Sequence, residues 1–364
     1  MKLKQIIKNA IIQKAAPLGF DEFMNLALYY PAKGYYTGGK QKFGEQGDFI
    51  TAPEVSDLFG FCLAKQCAEL LKKDDDLLEF GAGSGILAAQ ILFELGRIGK
   101  LPRTYYILEL SAELRQRQKQ TLKKVLPELM DKIVWLDSLP QRFCGLVIAN
   151  EVLDAMPAKR LINENGSFKE LGVDCQNDNL VWQTLTPYKN RKILLPTGVE
   201  TGYITEVNER AIAWINSLGD FIDTGFVLLI DYGMGRDEYF HPQRTAGTLQ
   251  CHYQHKTTDN PFVHIGEQDI TTSVNFSDIA DAATSSGFDI AGYGTQAMFL
   301  ISLGIEQYLA AEKDEKRHSN LAQQIKLLVL PSAMGESFKI LALSKNQQAV
   351  KLSGFKEQDL THKL

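Results

Sequence analysis

The sequence predicts an α/β fold built on a mostly parallel sheet, with a helical N-terminal extension and inserted β and loop segments. Three observations predict it. From Leu77 onward, short apolar runs (DLLEF, TYYILEL, KIVWLD, GLVIAN and FVLLIDYG) alternate with helical periodicity, the pattern of crossover units in a sheet covered on both faces. A glycine turn, Gly81-Ala82-Gly83-Ser84-Gly85, stands between the first run and the helical stretch ILAAQILFELGRIG, where such folds turn from strand to helix. The composition is 45% hydrophobic and 23% charged over 364 residues, ordinary for a globular chain that holds one large core with additions, or two domains.

Taken in order, residues 1–75 read as a helical extension interrupted by a covering loop, YYPAKGYYTGGKQKFGEQGDF. Thr51 and Glu54 have capping-box spacing, with Pro53 in the tolerated first turn of a helix reaching Leu70. Residues 76–346 form the main domain, with insertions at 157–200 and 234–275. In the first insertion, Asn-Gly-type turns separate alternating segments, which predicts an antiparallel β unit. The second is polar, rich in glycine, histidine and threonine, and without periodicity. A loop of that length is expected to be functional or mobile. A helix, a strand and another helix follow, FKILALSK gives a last strand, and residues 347–364 form a tail.

Several function classes are disfavoured. The net charge of -5 argues against a general nucleic-acid binder, which needs a concentrated basic surface. Five scattered cysteines suit reduced thiols rather than a disulfide framework. No apolar stretch approaches the ~20 residues of a membrane span. The N-terminal MKLKQIIKNAIIQK reads as an amphipathic helix rather than a transit peptide, which would carry arginine and serine. Cys251, His252, His255 and His264 match no compact zinc spacing, so no metal is expected.

The glycine turn carries the first chemical signal. Gly81, Gly83 and Gly85 allow a tight turn and a close ligand approach. Nicotinamide, flavin and S-adenosyl-L-methionine sites share that property. The nicotinamide fingerprint places its third glycine where this chain has Ile86. Glu79, two residues before the turn, suits the cationic amino-acid end of S-adenosyl-L-methionine and is ill placed for a pyrophosphate. Glu109 ends the second apolar run, where a carboxylate accepts both ribose hydroxyls. Asp137 and Ser138 end the third, at the adenine position, although Asp137 equally suits the start of a turn. Asp48 and Phe49 have no structural explanation and are candidates to lie against the cofactor. These residues point to S-adenosyl-L-methionine. With no convincing Tyr-x-x-x-Lys or histidine arrangement, they disfavour a nicotinamide oxidoreductase.

The fourth run ends in Asn150-Glu151-Val152-Leu153-Asp154-Ala155-Met156-Pro157. Polar groups there face the crevice at the carboxyl edge of a parallel sheet. Helix capping by Asn150 or Asp154 is the structural alternative, but capping does not require the extra carboxylate of Glu151. Methyl transfer needs no covalent nucleophile, only alignment of acceptor, methyl and sulfur. For a guanidinium acceptor, Glu151 and Asp154 are suited to orient the group and receive the released proton.

With these segments in hand, the chain resembles the mitochondrial complex I assembly protein-arginine methyltransferases and their bacterial relatives. The resemblance is carried over nearly the whole chain by GDFITAPEVSDLFG, EFGAGSG, YYILELS, ANEVLDAMP, LLIDYG, GTLQCHYQH and GEQDITTSVNFSDIA. It implies a Rossmann-like, seven-stranded class I methyltransferase sheet, mostly parallel with the last strand antiparallel. It implies S-adenosyl-L-methionine as cofactor and an arginine of a protein substrate as acceptor, which in the mitochondrial members is symmetrically dimethylated on a complex I subunit. Gly81, Gly83, Gly85 and Glu109 would hold the cofactor, with Asp48, Phe49 and Thr51 closing over it. Asn150, Glu151 and Asp154 would line the transfer site. Residues 266–270 would form the acceptor side, with Glu267 and Asp269 as guanidinium partners unless they only cap the helix entered at Phe276. Lacking a convincing presequence, the chain is expected in a bacterial cytoplasm, or in the mitochondrial matrix if eukaryotic. Homodimerisation stays open. The alternative is a non-catalytic S-adenosyl-L-methionine-binding assembly chaperone for a respiratory complex.

Overall fold

The structure, a computed structural model, describes residues 1–38, 51–190, 193–348 and 351–364. The chain divides into two compact units. Residues 1–49, 153–214 and 235–278 make the first, and residues 50–152, 215–234 and 279–364 the second.

The second unit carries the large sheet. Its strands are β1 (Asp76–Phe80), β2 (Tyr105–Leu108), β3 (Ile133–Leu136), β4 (Phe143–Asn150), β5 (Ile222–Met234), β6 (Asp289–Thr295) and β7 (Phe338–Lys345). Their hydrogen-bonded path is β3-β2-β1-β4-β5-β7-β6. Pairing is parallel from β3 through to β5, whereas β7 runs antiparallel to both β5 and β6. All five residues of β1 are buried, as expected of a central strand with both faces covered. Leu63, Leu77, Leu92, Tyr105, Ile148 and Leu228 belong to one core around this sheet. The strands approach closely where β1 enters: a Cβ on Gly145, whose φ is +140°, would sit 2.0 Å from the Asp76 carbonyl oxygen.

Two local expectations need correction here. Thr51 is the N-cap residue of a separate four-residue helix, Ala52–Val55, and makes no side-chain cap bond. The longer helix α1 (Asp57–Leu70) is capped instead by Ser56, whose hydroxyl accepts from the Leu58 N–H at 3.3 Å. The Thr51–Glu54 capping box therefore does not form, because the Glu54 carboxylate accepts from the Ser84 hydroxyl in the glycine turn. In addition, the second strand stops at Leu108, leaving Glu109 just beyond it.

The first unit is built on antiparallel strands. Lys159–Glu164, Ser167–Gln176 and Asn179–Pro187 pair in succession. Their turns are Asn165-Gly166, with φ of 54° and 83°, and Asn177-Asp178, with φ of 48° and 66°. Positive φ at both central residues is the primed-turn geometry that matches strand twist. Leu18–Gly19 pairs antiparallel with the second of these strands and Ile204–Val207 with the first. The 234–275 segment is not the long loop expected. Gln250–Tyr253 pairs antiparallel with both Lys256–Thr258 and Asp269–Thr271. These strands are too short to show a period, and they are held by burial of Cys251 and Ile270 in a cluster with Ile7, Ile11, Phe20 and Phe23. The latter come from amphipathic helices Leu3–Lys14 and Phe20–Tyr29. Among the described residues, no helix is long and apolar enough to cross a membrane.

Candidate active site

In the second unit, β1 runs into a turn whose glycines all have positive φ: 62° at Gly81, 52° at Gly83 and 83° at Gly85. The turn is pinned by the Gly81 N–H donating to the Leu108 carbonyl (3.0 Å) and the Gly85 N–H to the Ala82 carbonyl (2.7 Å). Helix α2 (Ile86–Arg97) then begins, with the Ala89 N–H on the Gly85 carbonyl. A Cβ on Gly85 would lie 3.0 Å from Gln118 Cα, so glycine is needed there for packing as well as for conformation.

Two carboxylates border this turn. Glu79 is 2% exposed and accepts from the Tyr105 hydroxyl at 2.8 Å. Burial pushes its carboxyl up to about 7; the Tyr105 hydrogen bond opposes that rise and the Glu109 charge adds to it. Glu109 is also pushed upward by burial, against hydrogen bonds that include the Ser111 N–H and the Gln118 amide. Asp137, at the end of β3, has an exposed carboxylate ion-paired with Arg115 at 2.6 Å, and Ser138 beside it is exposed. Leu110, following Glu109, is 80% exposed and is an apolar surface that the sequence reading missed. Glu54 was missed too, because a cap explained it. Thr51 is half-buried at the start of its short helix. Asp48 and Phe49 lie outside the described residues.

Past β4 the chain turns sharply. Glu151 has φ of +54°, a left-handed conformation costing a non-glycine residue about 1–2 kcal/mol. Its N–H donates to the Ile230 carbonyl on β5 at 2.8 Å, and the Asn150 amide donates to its carboxylate at 3.1 Å. Residues 151–158 form bends and turns, so the capping role considered for Asn150 and Asp154 is not realised.

The chain re-enters the first unit at Leu153, and there every carbonyl of residues 153–156 is held. Leu153 O accepts from the Asn208 amide (3.1 Å), Asp154 O from the Thr272 N–H (3.1 Å), Ala155 O from the Tyr29 hydroxyl (3.0 Å) and Met156 O from the Asn208 amide (3.0 Å). Asp154 and Asp269 are 6% and 2% exposed. The Tyr36 hydroxyl donates to the Asp269 carboxylate, at 3.0 Å from each oxygen. Burial, then Asp269, then Asp154 hold the Tyr36 phenol well above its ordinary range, so both carboxylates act on one hydroxyl. Tyr29 stacks on Tyr36 with centroids 5.4 Å apart. Glu267 is exposed on the preceding turn. Tyr29, Tyr36 and Asn208 were missed. The repeated tyrosine pairs of YYPAKGYY were the available signal. The His264 ring stacks on Tyr253 at 3.9 Å, a hairpin contact.

Comparison with known proteins adds to this geometry. A family profile described as an S-adenosyl-L-methionine-dependent methyltransferase matches residues 62–294. The chain is 28% identical to the mitochondrial protein arginine methyltransferase NDUFAF7 homolog of Drosophila melanogaster, over 92% of this chain and 83% of that protein. It is also 28% identical to the mitochondrial protein arginine methyltransferase NDUFAF7 of Rattus norvegicus, over 93% and 83%. A Burkholderia thailandensis protein crystallised with S-adenosyl-homocysteine is 37% identical with a TM-score of 0.95, covering 100% of this chain and 96% of that one. A second crystal structure from the same organism gives 36% and 0.92.

Proposed function

The chain belongs to the S-adenosyl-L-methionine-dependent methyltransferase family, and from that premise we propose that it methylates an arginine side chain of a protein. The observation that carries the acceptor reading is the pair of buried carboxylates, Asp154 and Asp269, acting on the Tyr36 hydroxyl beside stacked Tyr29. Buried carboxylates with aromatic faces suit a planar, permanently charged group better than a neutral one. The arginine methyltransferase names of the relatives support the same reading.

The residues around the turn fit the cofactor. Glu79 is a buried carboxylate facing a tyrosine hydroxyl and a second carboxylate, an environment that an ammonium group would complete. We assign Glu79 to the amino-acid end, Glu109 to the ribose, Gly81, Gly83 and Gly85 to close backbone approach, and Asp137, Ser138 and Leu110 to the adenine side. Thr51, Asp48 and Phe49 are proposed to cover it. When bound, the cofactor supplies an electrophilic methyl on a sulfonium. This chain's residues then have two tasks. Asp154, with Asn150 and Glu151 a few residues earlier, holds the acceptor nitrogen and takes the proton that methylation releases. We assign Asp269 and Glu267 to the guanidinium as further carboxylate partners. We also read the strand path, with β7 antiparallel, as the seven-stranded class I methyltransferase sheet, and residues 76–346 as the domain that carries it. The net charge of -5 supports a protein rather than a nucleic-acid substrate, and we place the protein in a bacterial cytoplasm.

The test is transfer of labelled methyl from S-adenosyl-L-methionine to a lysate of a strain lacking this protein, with methylarginine read by mass spectrometry. Asp154→Asn and Asp269→Asn are expected to lower labelling at least about 100-fold, while S-adenosyl-homocysteine affinity stays within about twofold. Unchanged labelling in both variants would overturn the acceptor assignment. No labelling by the wild type, with the cofactor bound, would favour a non-catalytic assembly role.

A further inference from the structure

Gln118 lies on helix α3 (Ala112–Val125), outside every motif singled out in the sequence, and is fully buried. Its side chain makes three hydrogen bonds. The amide nitrogen donates to the Gly83 carbonyl at 3.1 Å and to Glu109 Oε2 at 3.0 Å. The amide oxygen accepts from the Trp135 indole N–H of β3 at 3.0 Å. We infer that Gln118 is a positioning residue for the cofactor site: it ties the glycine turn to Glu109 and presents the Glu109 carboxylate to the ribose.

The chemistry of the three partners fixes the arrangement. An indole N–H only donates, and a backbone carbonyl and a carboxylate only accept. Gln118 must therefore turn its oxygen to Trp135 and its nitrogen to Gly83 and Glu109. The flipped amide would set oxygen against oxygen and N–H against N–H. Trp135 thus selects the rotamer face from one side of the helix, and the turn and carboxylate read it from the other. Both Glu109 oxygens are engaged, Oε1 by the Ser111 N–H at 2.9 Å and Oε2 by Gln118. The carboxylate plane is thereby set, and each oxygen retains acceptor capacity for one hydroxyl of a vicinal diol. A neutral amide orients the carboxylate without neutralising it, as a lysine or arginine here would. The contact of Gln118 Cα with the Cβ position of Gly85 at 3.0 Å makes the same residue a backstop for the turn.

This inference rests on the assignment of Glu109 to the ribose, and the experiment separates the two. Isothermal calorimetry with S-adenosyl-homocysteine and its 2′-deoxy analogue is run on the wild type, Gln118→Met, Glu109→Gln and the double variant. Gln118→Met keeps the side-chain length and loses the hydrogen bonds. It is expected to weaken S-adenosyl-homocysteine binding about tenfold and to reduce the preference for the 2′-hydroxyl, as loss of a bond to a charged group predicts. In the Glu109→Gln background the same substitution should change affinity less than about twofold, because its effect passes through that carboxylate. Equal losses in both backgrounds, or wild-type binding by Gln118→Met, would overturn the inference. Wild-type binding by Glu109→Gln would instead sink the ribose assignment itself. Trp135→Phe keeps an aromatic ring and removes the donor, so it reads the same coupling should Gln118→Met fold poorly. A smaller loss, about threefold, with the same dependence on Glu109 is expected. Binding by Trp135→Phe that matches the wild type would count against the amide-orienting role.

Discussion

Glu79 shows what a single residue contributes. Its carboxyl is pushed up to about 7 by burial, with Tyr105 opposing and Glu109 adding, so the apo-protein holds a proton there that the unfolded chain releases nearer 4.5. Between those values the folded state binds more protons, and stability falls as pH rises through about 7. Replacing the acid by Glu79→Gln should therefore stabilise the apo-protein at pH 8 and have little effect at pH 4, by thermal unfolding across pH. Cofactor binding should respond in the opposite sense. The ammonium of S-adenosyl-homocysteine favours the carboxylate, so affinity should drop as pH falls below about 7 and lose that dependence in Glu79→Gln. An affinity profile flat from pH 5 to 8 in the wild type would refute the pairing. This carboxylate was legible in the sequence because its spacing to the glycine turn is local. Tyr105 and Gln118 were not legible, because their roles depend on contacts across strands and between helix and turn. A tyrosine inside an apolar run looks like core until a carboxylate is found opposite its hydroxyl.

At the scale of the element, the loop after β4 is defined by how its backbone is held. Asn208 donates to Leu153 O and Met156 O, and its oxygen accepts from the Ala211 N–H at 2.9 Å, so one amide clamps the loop and caps the helix Glu209–Phe221. Asn208→Ala is expected to cost about 1–2 kcal/mol of stability by the lost cap and bonds. Methyl transfer should fall further than that loss of stability explains, with S-adenosyl-homocysteine affinity unchanged. A proportional loss of folding and activity would reduce Asn208 to a structural cap. The sheet carries a separate prediction. Gly145→Ala would drive a Cβ to 2.0 Å from the Asp76 carbonyl oxygen, and urea unfolding should show destabilisation of about 3 kcal/mol or more. Elements with a strong period, β1, β4 and β5, could be read directly from their apolar runs. The strands of the 234–275 segment could not, because three or four residues cannot establish a period. The short helix at Ala52 escaped because a capping-box spacing describes a sequence and not whether the side chains turn inward. Here Glu54 is drawn to Ser84 instead.

The whole molecule is two units that interleave along the chain, with the boundary between Val152 and Leu153 falling inside the Asn150–Pro157 motif. That division is invisible to local patterning: Ile7, Ile11, Phe20 and Phe23 share one apolar cluster with Val173, Leu180, Leu249, Cys251 and Ile270, all far away in the sequence. It makes a prediction that neither unit makes alone. The proposed cofactor residues Glu79, Gly81, Gly83, Gly85 and Glu109 belong to the second unit, and Asp154 and Asp269 to the first. Saturating S-adenosyl-homocysteine, at 100 times its dissociation constant, should stabilise the folded state by about 2.7 kcal/mol. Hydrogen exchange should show where that stabilisation is felt, with the largest slowing in peptides covering β1, the glycine turn, α2 and the end of β2. Asp269→Asn should leave both the thermal shift and that exchange pattern intact, whereas Glu109→Gln should diminish both. Slowing centred on residues 153–176 instead, or a thermal shift abolished by Asp269→Asn, would mean that the cofactor is held by the first unit. The division of labour between nucleoside binding and acceptor recognition would then have to be redrawn.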